Sequence, residues 1–218
     1  MSRRLPVYLL VDVSTSMRGR PIATVRRGIR DLVSEMRNDP TALETAAMSV
    51  IAFGTEARQV VPMTDFFDFQ PPRLEAGGRT NLQAALELLC ACADREVRHA
   101  TPGHRGDWHP MVFLMTDGSP WPSKNIDRAL RLFRARSWGP CVSCAIGRKC
   151  DIATLDRITP GAVVSLAGDD ASLLSFFRWM SSSILVSSTR ASSHAASRSD
   201  LDTLPELPPQ LSNKGIQF

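Results

Sequence analysis

Two stretches of the chain, Val7-Tyr8-Leu9-Leu10-Val11 and Met111-Val112-Phe113-Leu114-Met115-Thr116, are apolar with almost no polar alternation. A strand with one face in water alternates apolar and polar residues, so these runs predict strands covered on both faces, as central parallel strands are. Pro6 and Asp12 bound the first run, and Asp117-Gly118 stops the second. Between them the period changes. Ile22, Val25, Ile29, Leu32, Val33 and Met36 recur at intervals of three and four, which predicts an amphipathic helix with its apolar stripe on the sheet. Pro21 falls in the first turn, where its missing N–H costs nothing, and Asn38-Asp39-Pro40 ends the helix.

The same reading extends along the chain. Ala47 to Phe53 predicts a second strand, broken by Gly54. Gln59 to Met63 contains Pro62 and suits an edge strand; the short link from Gly54 to Arg58 cannot hold a parallel crossover, so this pairing should be antiparallel. Residues 66–78 read as a loop, followed by a helix from Leu82 to about Ala93 and a polar loop over 94–110. Helices over 126–136, 152–158 and 171–185 then alternate with strands over 142–146 and 162–166. That alternation predicts an α/β fold: a three-layer αβα sandwich, doubly wound, with a mostly parallel six-stranded sheet and one antiparallel edge strand. The domain is expected to occupy 1–186. Residues 187–218 lose hydrophobic periodicity and are expected to form a low-complexity, disordered tail, with Leu204 and Leu207 as candidate anchors of a docking peptide.

Composition narrows the function classes. The 218 residues are 43% apolar and 22% charged, which suits one folded domain. No run approaches the ~20 apolar residues of a membrane span, and the run after Arg3 and Arg4 is too short for a signal peptide. A cytoplasmic location is the expectation. The net charge of +4 comes largely from dispersed arginines. Two sets, Arg26/Arg27/Arg30 and Arg128/Arg131/Arg134/Arg136, follow helical spacing and read as solvated faces, so nucleic acid is not an expected partner. The five cysteines lie in apolar segments and read as buried reduced thiols. Cys141 and Cys144 would point to opposite faces of a strand and could not chelate one ion. His99, His104 and His109 read as members of a solvated loop.

In an open parallel sheet, ligands gather at the carboxyl ends of the strands. The first strand ends in Asp12-Val13-Ser14-Thr15-Ser16 and the long buried strand in Thr116-Asp117-Gly118; between them lies Gly77-Gly78-Arg79-Thr80-Asn81. Carboxylates and hydroxyls of this kind suit Mg²⁺ or Mn²⁺, hard cations that take about six oxygen ligands. Helix capping by Ser14 or Thr80, and a simple turn at Asp117-Gly118, are the structural alternatives. An aspartyl-phosphate phosphatase would also place Asp12 at a strand end beside Mg²⁺. Such enzymes need a second carboxylate two residues on, where Ser14 stands, and a lysine, and the chain has only Lys124, Lys149 and Lys214. The site has ligands but no evident base, so the expectation is that the protein is not an enzyme. A structural module with no functional metal is the third reading.

Asp12-Val13-Ser14-Thr15-Ser16 resembles the DxSxS signature of von Willebrand factor type A domains, with Thr80 and Asp117 at the remaining positions of the metal-ion-dependent adhesion site. The resemblance implies that Ser14, Ser16 and Thr80 contact the metal directly and that Asp12 and Asp117 act mostly through water. It also implies a partner that supplies a carboxylate, or by our reading a phosphorylated Ser or Thr. Arg4 to Leu10, Leu43-Glu44-Thr45-Ala46, Asp107-Trp108-His109-Pro110 and Phe176-Phe177-Arg178-Trp179 are similar to the TerY-like group. That group is linked to tellurium resistance and stress response and is often found beside Ser/Thr kinases and PP2C-type phosphatases. The implied role is an intracellular scaffold or signalling partner. The metal-binding module that follows the domain in some relatives is not expected within these residues, since no cysteine follows Cys150.

Overall fold

A computed structural model describes residues 3–103, 105–118, 126–193, 203–209 and 211. Strands β1 (Leu5–Asp12), β2 (Ala46–Phe53), β3 (Ala57–Asp65), β4 (Met111–Thr116), β5 (Cys141–Ile146) and β6 (Val163–Leu166) form one sheet in the order β3-β2-β1-β4-β5-β6. All neighbours are parallel except β2 and β3. The expected mixed six-stranded sheet with an antiparallel edge is therefore present. The helices are α1 (Arg20–Arg37), α2 (Pro40–Thr45), α3 (Leu82–Glu96), α4 (Ile126–Arg134), α5 (Ile152–Ile158) and α6 (Asp170–Ser192).

Every residue of β1 is buried, as the unbroken apolar run requires. Its side chains divide between two cores by the two-residue period of a strand. Leu5, Val7, Leu9 and Val11 join the apolar stripe of α1 and the inner face of α6; Tyr8 and Leu10 join Leu86, Leu89 and Leu130 on the other side. Helices α1 and α6 pack closely because Gly28 lacks a side chain: a methyl group there would lie 2.1 Å from Cδ2 of Phe177. With β2 on one side of β1 and β4 on the other, the winding reverses at β1, which opens a crevice at the carboxyl ends of β1 and β4. Among the described residues no helix is long and apolar enough to cross a membrane.

Several segments differ from the sequence expectation. Helix α2 was not expected; it is too short to display a period, although Asp39 caps it by accepting from Ala42 N at 2.8 Å and Pro40 opens its first turn. Phe66, Phe69 and Leu74 of the expected loop are buried, and Arg37 ties that loop down by donating to the carbonyls of Phe66 and Phe69 at 3.0 and 2.6 Å. Helix α6 continues through the expected domain limit at 186 to Ser192. Its later turns bury Ser183, Ser187 and Ser188, small residues that allow close helix packing but read as polar in a periodicity analysis. Residues 203–209 and Leu211 lie against the domain, with Leu211 buried and Leu204 and Leu207 packed on the α1/α6 core. The rest of the expected tail beyond Ser193 lies outside the described residues.

Candidate functional site

The site begins where β1 runs out. Val13 N still bonds Phe53 O at 2.8 Å, after which a single 3-10 turn, Thr15–Met17, bends the chain over the sheet edge. Asp12 is fully buried and held at both oxygens: Oδ1 accepts from Ser14 N at 2.7 Å and Oδ2 from Thr116 Oγ1 at 2.5 Å. The Ser14 and Ser16 hydroxyls are 3.0 Å apart, and Ser16 Oγ donates to Asp117 Oδ1 at 2.7 Å. Ser14 makes no side-chain capping bond, so its hydroxyl is not used as a helix cap.

The loop carrying Thr80 is stitched to the same rim. Thr15 N and Oγ1 both donate to Gly78 O, at 3.0 and 2.9 Å, and Gly77 N donates to Val13 O at 2.6 Å. Gly78 has φ 81°, and a methyl group there would lie 2.4 Å from Thr55 Oγ1, so only glycine fits. Asn81, not Thr80, caps α3, accepting from Ala84 N at 3.1 Å. That leaves the Thr80 hydroxyl uncommitted to capping. A methyl group placed on Gly118 would be 2.9 Å from Thr80 Oγ1 and 4.0 Å from Asp12 Oδ2, which puts Thr80 beside the carboxylate. Asp12, Ser14, Ser16, Thr80 and Asp117 thus meet on one rim.

The electrostatics are those of an uncompensated negative cluster. Burial raises the pKa of Asp12 and of Asp117, against the opposing effect of hydrogen bonds from Thr116 and Ser14 to Asp12 and from Ser16 to Asp117. Among the described residues no basic side chain forms an ion pair with either carboxylate. Cys150, whose thiol faces Thr116 O at 3.7 Å, is pushed up to about 12 by burial and then by Asp117 and Asp12. One buried and one half-buried carboxylate with three hydroxyls in one place favour a cation. No group of three or more His, Cys, Asp or Glu side chains suited to a metal gathers among the described residues; this cluster relies on hydroxyls instead.

Other candidates from the sequence fall elsewhere. His99 and His109 line a cavity of about 440 Å³ that also holds Arg3 and Pro110, beside the starts of β1 and β4 and so at the opposite end of the sheet. His104 and Lys124 lie outside the described residues. All five cysteines are free thiols, three of them fully buried. Trp108, in the loop before β4, is a core residue. Sequence reasoning missed Thr116 as the partner of Asp12; its position directly before the strand-end aspartate was the available signal. It also missed a cavity of about 460 Å³ beside the site, lined by Val13, Thr55, Glu56, Arg73 and Gly77 among others.

A model of the von Willebrand factor type A domain matches residues 7–119, more than half of the chain. The chain belongs to the von Willebrand factor type A family. A search of curated protein sequences gives no match. Among solved structures, this type A domain is similar to a von Willebrand factor type A protein from Catenulispora acidiphila (TM-score 0.62, 21% identity, 85% of this chain and 43% of that one). It is also similar to proximal thread matrix protein 1 of the mussel byssus, in a form described with a zinc-occupied adhesion site (TM-score 0.58, 17% identity, 81% and 44%). A third is the pilus adhesin SpaC from Lactobacillus rhamnosus GG (TM-score 0.67, 14% identity, 84% and 31%). The chain spans less than half the length of each, and at these identities the likeness is one of fold.

Proposed function

We propose that this type A domain is a metal-dependent protein-binding module with an adhesion-site cation at the carboxyl ends of β1 and β4. The observation that carries the reading is the convergence of Asp12, Ser14, Ser16, Thr80 and Asp117 on one rim, with a buried and a half-buried carboxylate and no described basic partner. Ser14, Ser16 and Thr80 are the direct ligands, and Asp12 and Asp117 hold the outer positions. With hydroxyls inside and carboxylates outside, Mg²⁺ or Mn²⁺ keeps its affinity for an anion, and it supplies a Lewis-acidic contact for a partner's carboxylate or phosphorylated Ser or Thr. The zinc-occupied site of the mussel protein supports a divalent ion at this place in the fold.

Binding is preferred over catalysis because both Asp12 oxygens are already engaged, by Ser14 N and Thr116 Oγ1. A carboxylate held in that way positions the loop and is poorly placed to attack phosphorus. The similarity of Arg4 to Leu10 and of Phe176 to Trp179 to the TerY-like group supports a cytoplasmic scaffold in a tellurium-resistance or stress-response system, beside a Ser/Thr kinase and a PP2C-type phosphatase. The test is affinity capture from native lysate with Mg²⁺ and with chelator, using wild type and Ser14→Ala. Partners that depend on both the metal and Ser14 support the reading; partners indifferent to both reduce the domain to a structural module. Phosphate release from acyl-phosphate or phosphoprotein substrates, abolished by Asp12→Asn, would replace it with the phosphatase.

A further inference from the structure

Residues 203–209 are buried with a period of three. Thr203, Glu206 and Pro209 are exposed, whereas Leu204, Pro205, Leu207 and Pro208 are half-buried. The segment is neither helix nor strand. A strand repeats every second residue and an α-helix every 3.6, but the polyproline II helix has three residues per turn. Pro205, Pro208 and Pro209 hold φ in that region and bias the residues before them toward it. The two Leu-Pro pairs therefore share one edge of an extended helix, and that edge faces the domain.

Helix α6 supplies the matching surface. Trp179 Nε1 donates to Pro205 O at 3.0 Å, and Arg190, three turns further along α6, donates to Thr203 O at 2.5 Å. The segment thus runs back along the helix. Trp179 is held by an edge-on contact with Phe113, ring centroids 6.2 Å apart, and a tilted one with Phe176 at 5.6 Å. Leu204 and Leu207 pack on the core cluster containing these rings, and Leu211, 1% exposed, anchors the far end. A polyproline II segment leaves its carbonyls without internal partners, so an indole N–H beside an aromatic floor can read it, as aromatic-lined grooves read PxxP segments; here the extended run ends at Pro208, whose carbonyl accepts from Leu211 N at 2.7 Å as the chain turns.

We infer that the α6 face around Trp179 is a recognition groove for Leu-Pro-x-Leu-Pro segments in polyproline II form, occupied by the chain's own residues 204–208 as an intramolecular ligand. Residues 194–202, mostly small and polar, tether that ligand to the end of α6. A short tether supplies an effective concentration of about 1 mM, enough to fill a groove of modest intrinsic affinity. A partner carrying the same motif must displace the tail. This groove is separate from the metal site and does not depend on it.

The experiment uses a synthetic peptide of residues 203–211 and the chain truncated after Ser193, measured by calorimetry. Saturable one-to-one binding is expected. Leu207→Asp or Pro208→Ala in the peptide should weaken it at least about tenfold, while Glu206→Lys should change it less than about twofold. The full chain should bind the peptide at least about tenfold more weakly than the truncated one, because its groove is filled. A folded truncated domain that does not bind, or equal sensitivity at Glu206 and Leu207, overturns the proposal. If truncation prevents folding, hydrogen exchange at Leu211 in the full chain decides instead. Protection should be lost with Trp179→Phe and Leu207→Asp and kept with Glu206→Lys; the same response to all three overturns the assignment. A concentration-dependent dimer abolished by Leu207→Asp would show the groove filled by a second copy and overturn the intramolecular placement.

Discussion

Gly118→Ala tests the metal reading at its least obvious point. Gly118 follows the strand-end aspartate and has no positive φ, so the backbone accepts alanine without strain. The added methyl would lie 2.9 Å from Thr80 Oγ1, where ordinary contact begins near 3.4 Å. The hydroxyl must therefore retreat by about 0.5 Å or swing to another rotamer, and Mg²⁺, bound at ~2.0–2.1 Å in near-ideal geometry, does not follow it. Loss of one neutral ligand, with water taking its place, should weaken metal binding by about 10-fold, or about 1.4 kcal/mol. Stability without metal should change by less than about 1 kcal/mol, since no apolar packing is lost. The assay is Mn²⁺ titration by calorimetry on wild type, Gly118→Ala, Thr80→Val and the double variant. If the methyl acts only by displacing Thr80, the double variant binds no more weakly than Thr80→Val, because the displaced ligand is already gone. Additive losses in the cycle, or wild-type affinity in Gly118→Ala, would refute the reasoning.

Other consequences are open to direct measurement. Saturating Mg²⁺ or Mn²⁺, at about 100 times its Kd, should stabilise the domain by about 2.7 kcal/mol, raising Tm by roughly 5–11 °C in a thermal melt, and Asp117→Ala should abolish the shift. Gly28→Ala places a methyl 2.1 Å from the Phe177 ring and should cost about 1–3 kcal/mol in urea unfolding; Phe177→Leu, which trims the ring, should make the same change cheaper. The thiols should be nearly inert to iodoacetamide at pH 8, because burial pushes Cys90 up to about 11 and Cys141 and Cys150 up to about 12. A thiol's ionised form is lost as pH falls below its pKa, so labelling should rise about tenfold per pH unit across alkaline pH, and all five cysteines should react once the chain is unfolded.

The local pattern of the sequence determined the strands and most of the helices, because burial on two faces, on one stripe or at an edge each leaves its own period. The unbroken runs at Val7–Val11 and Met111–Thr116 are the central strands β1 and β4, and the proline-bearing Gln59–Met63 lies on the antiparallel edge. The DxSxS run, Thr80 and Asp117 were likewise legible as residue types at strand ends. Which of them share a rim was decided by the tertiary structure. Thr15 reaches Gly78 across 63 positions, Ser16 reaches Asp117 across 101, and Thr116 reaches Asp12 across 104. No local period records bonds of that span; the two to β4 exist because β1 and β4 are neighbours in the sheet, and the one to Gly78 because the loop before α3 folds back onto the same rim. The same holds for the packing of Leu204, Leu207 and Leu211 on the core. That segment is rich in leucine and proline, and which of its sides is buried is settled only by its packing against the domain.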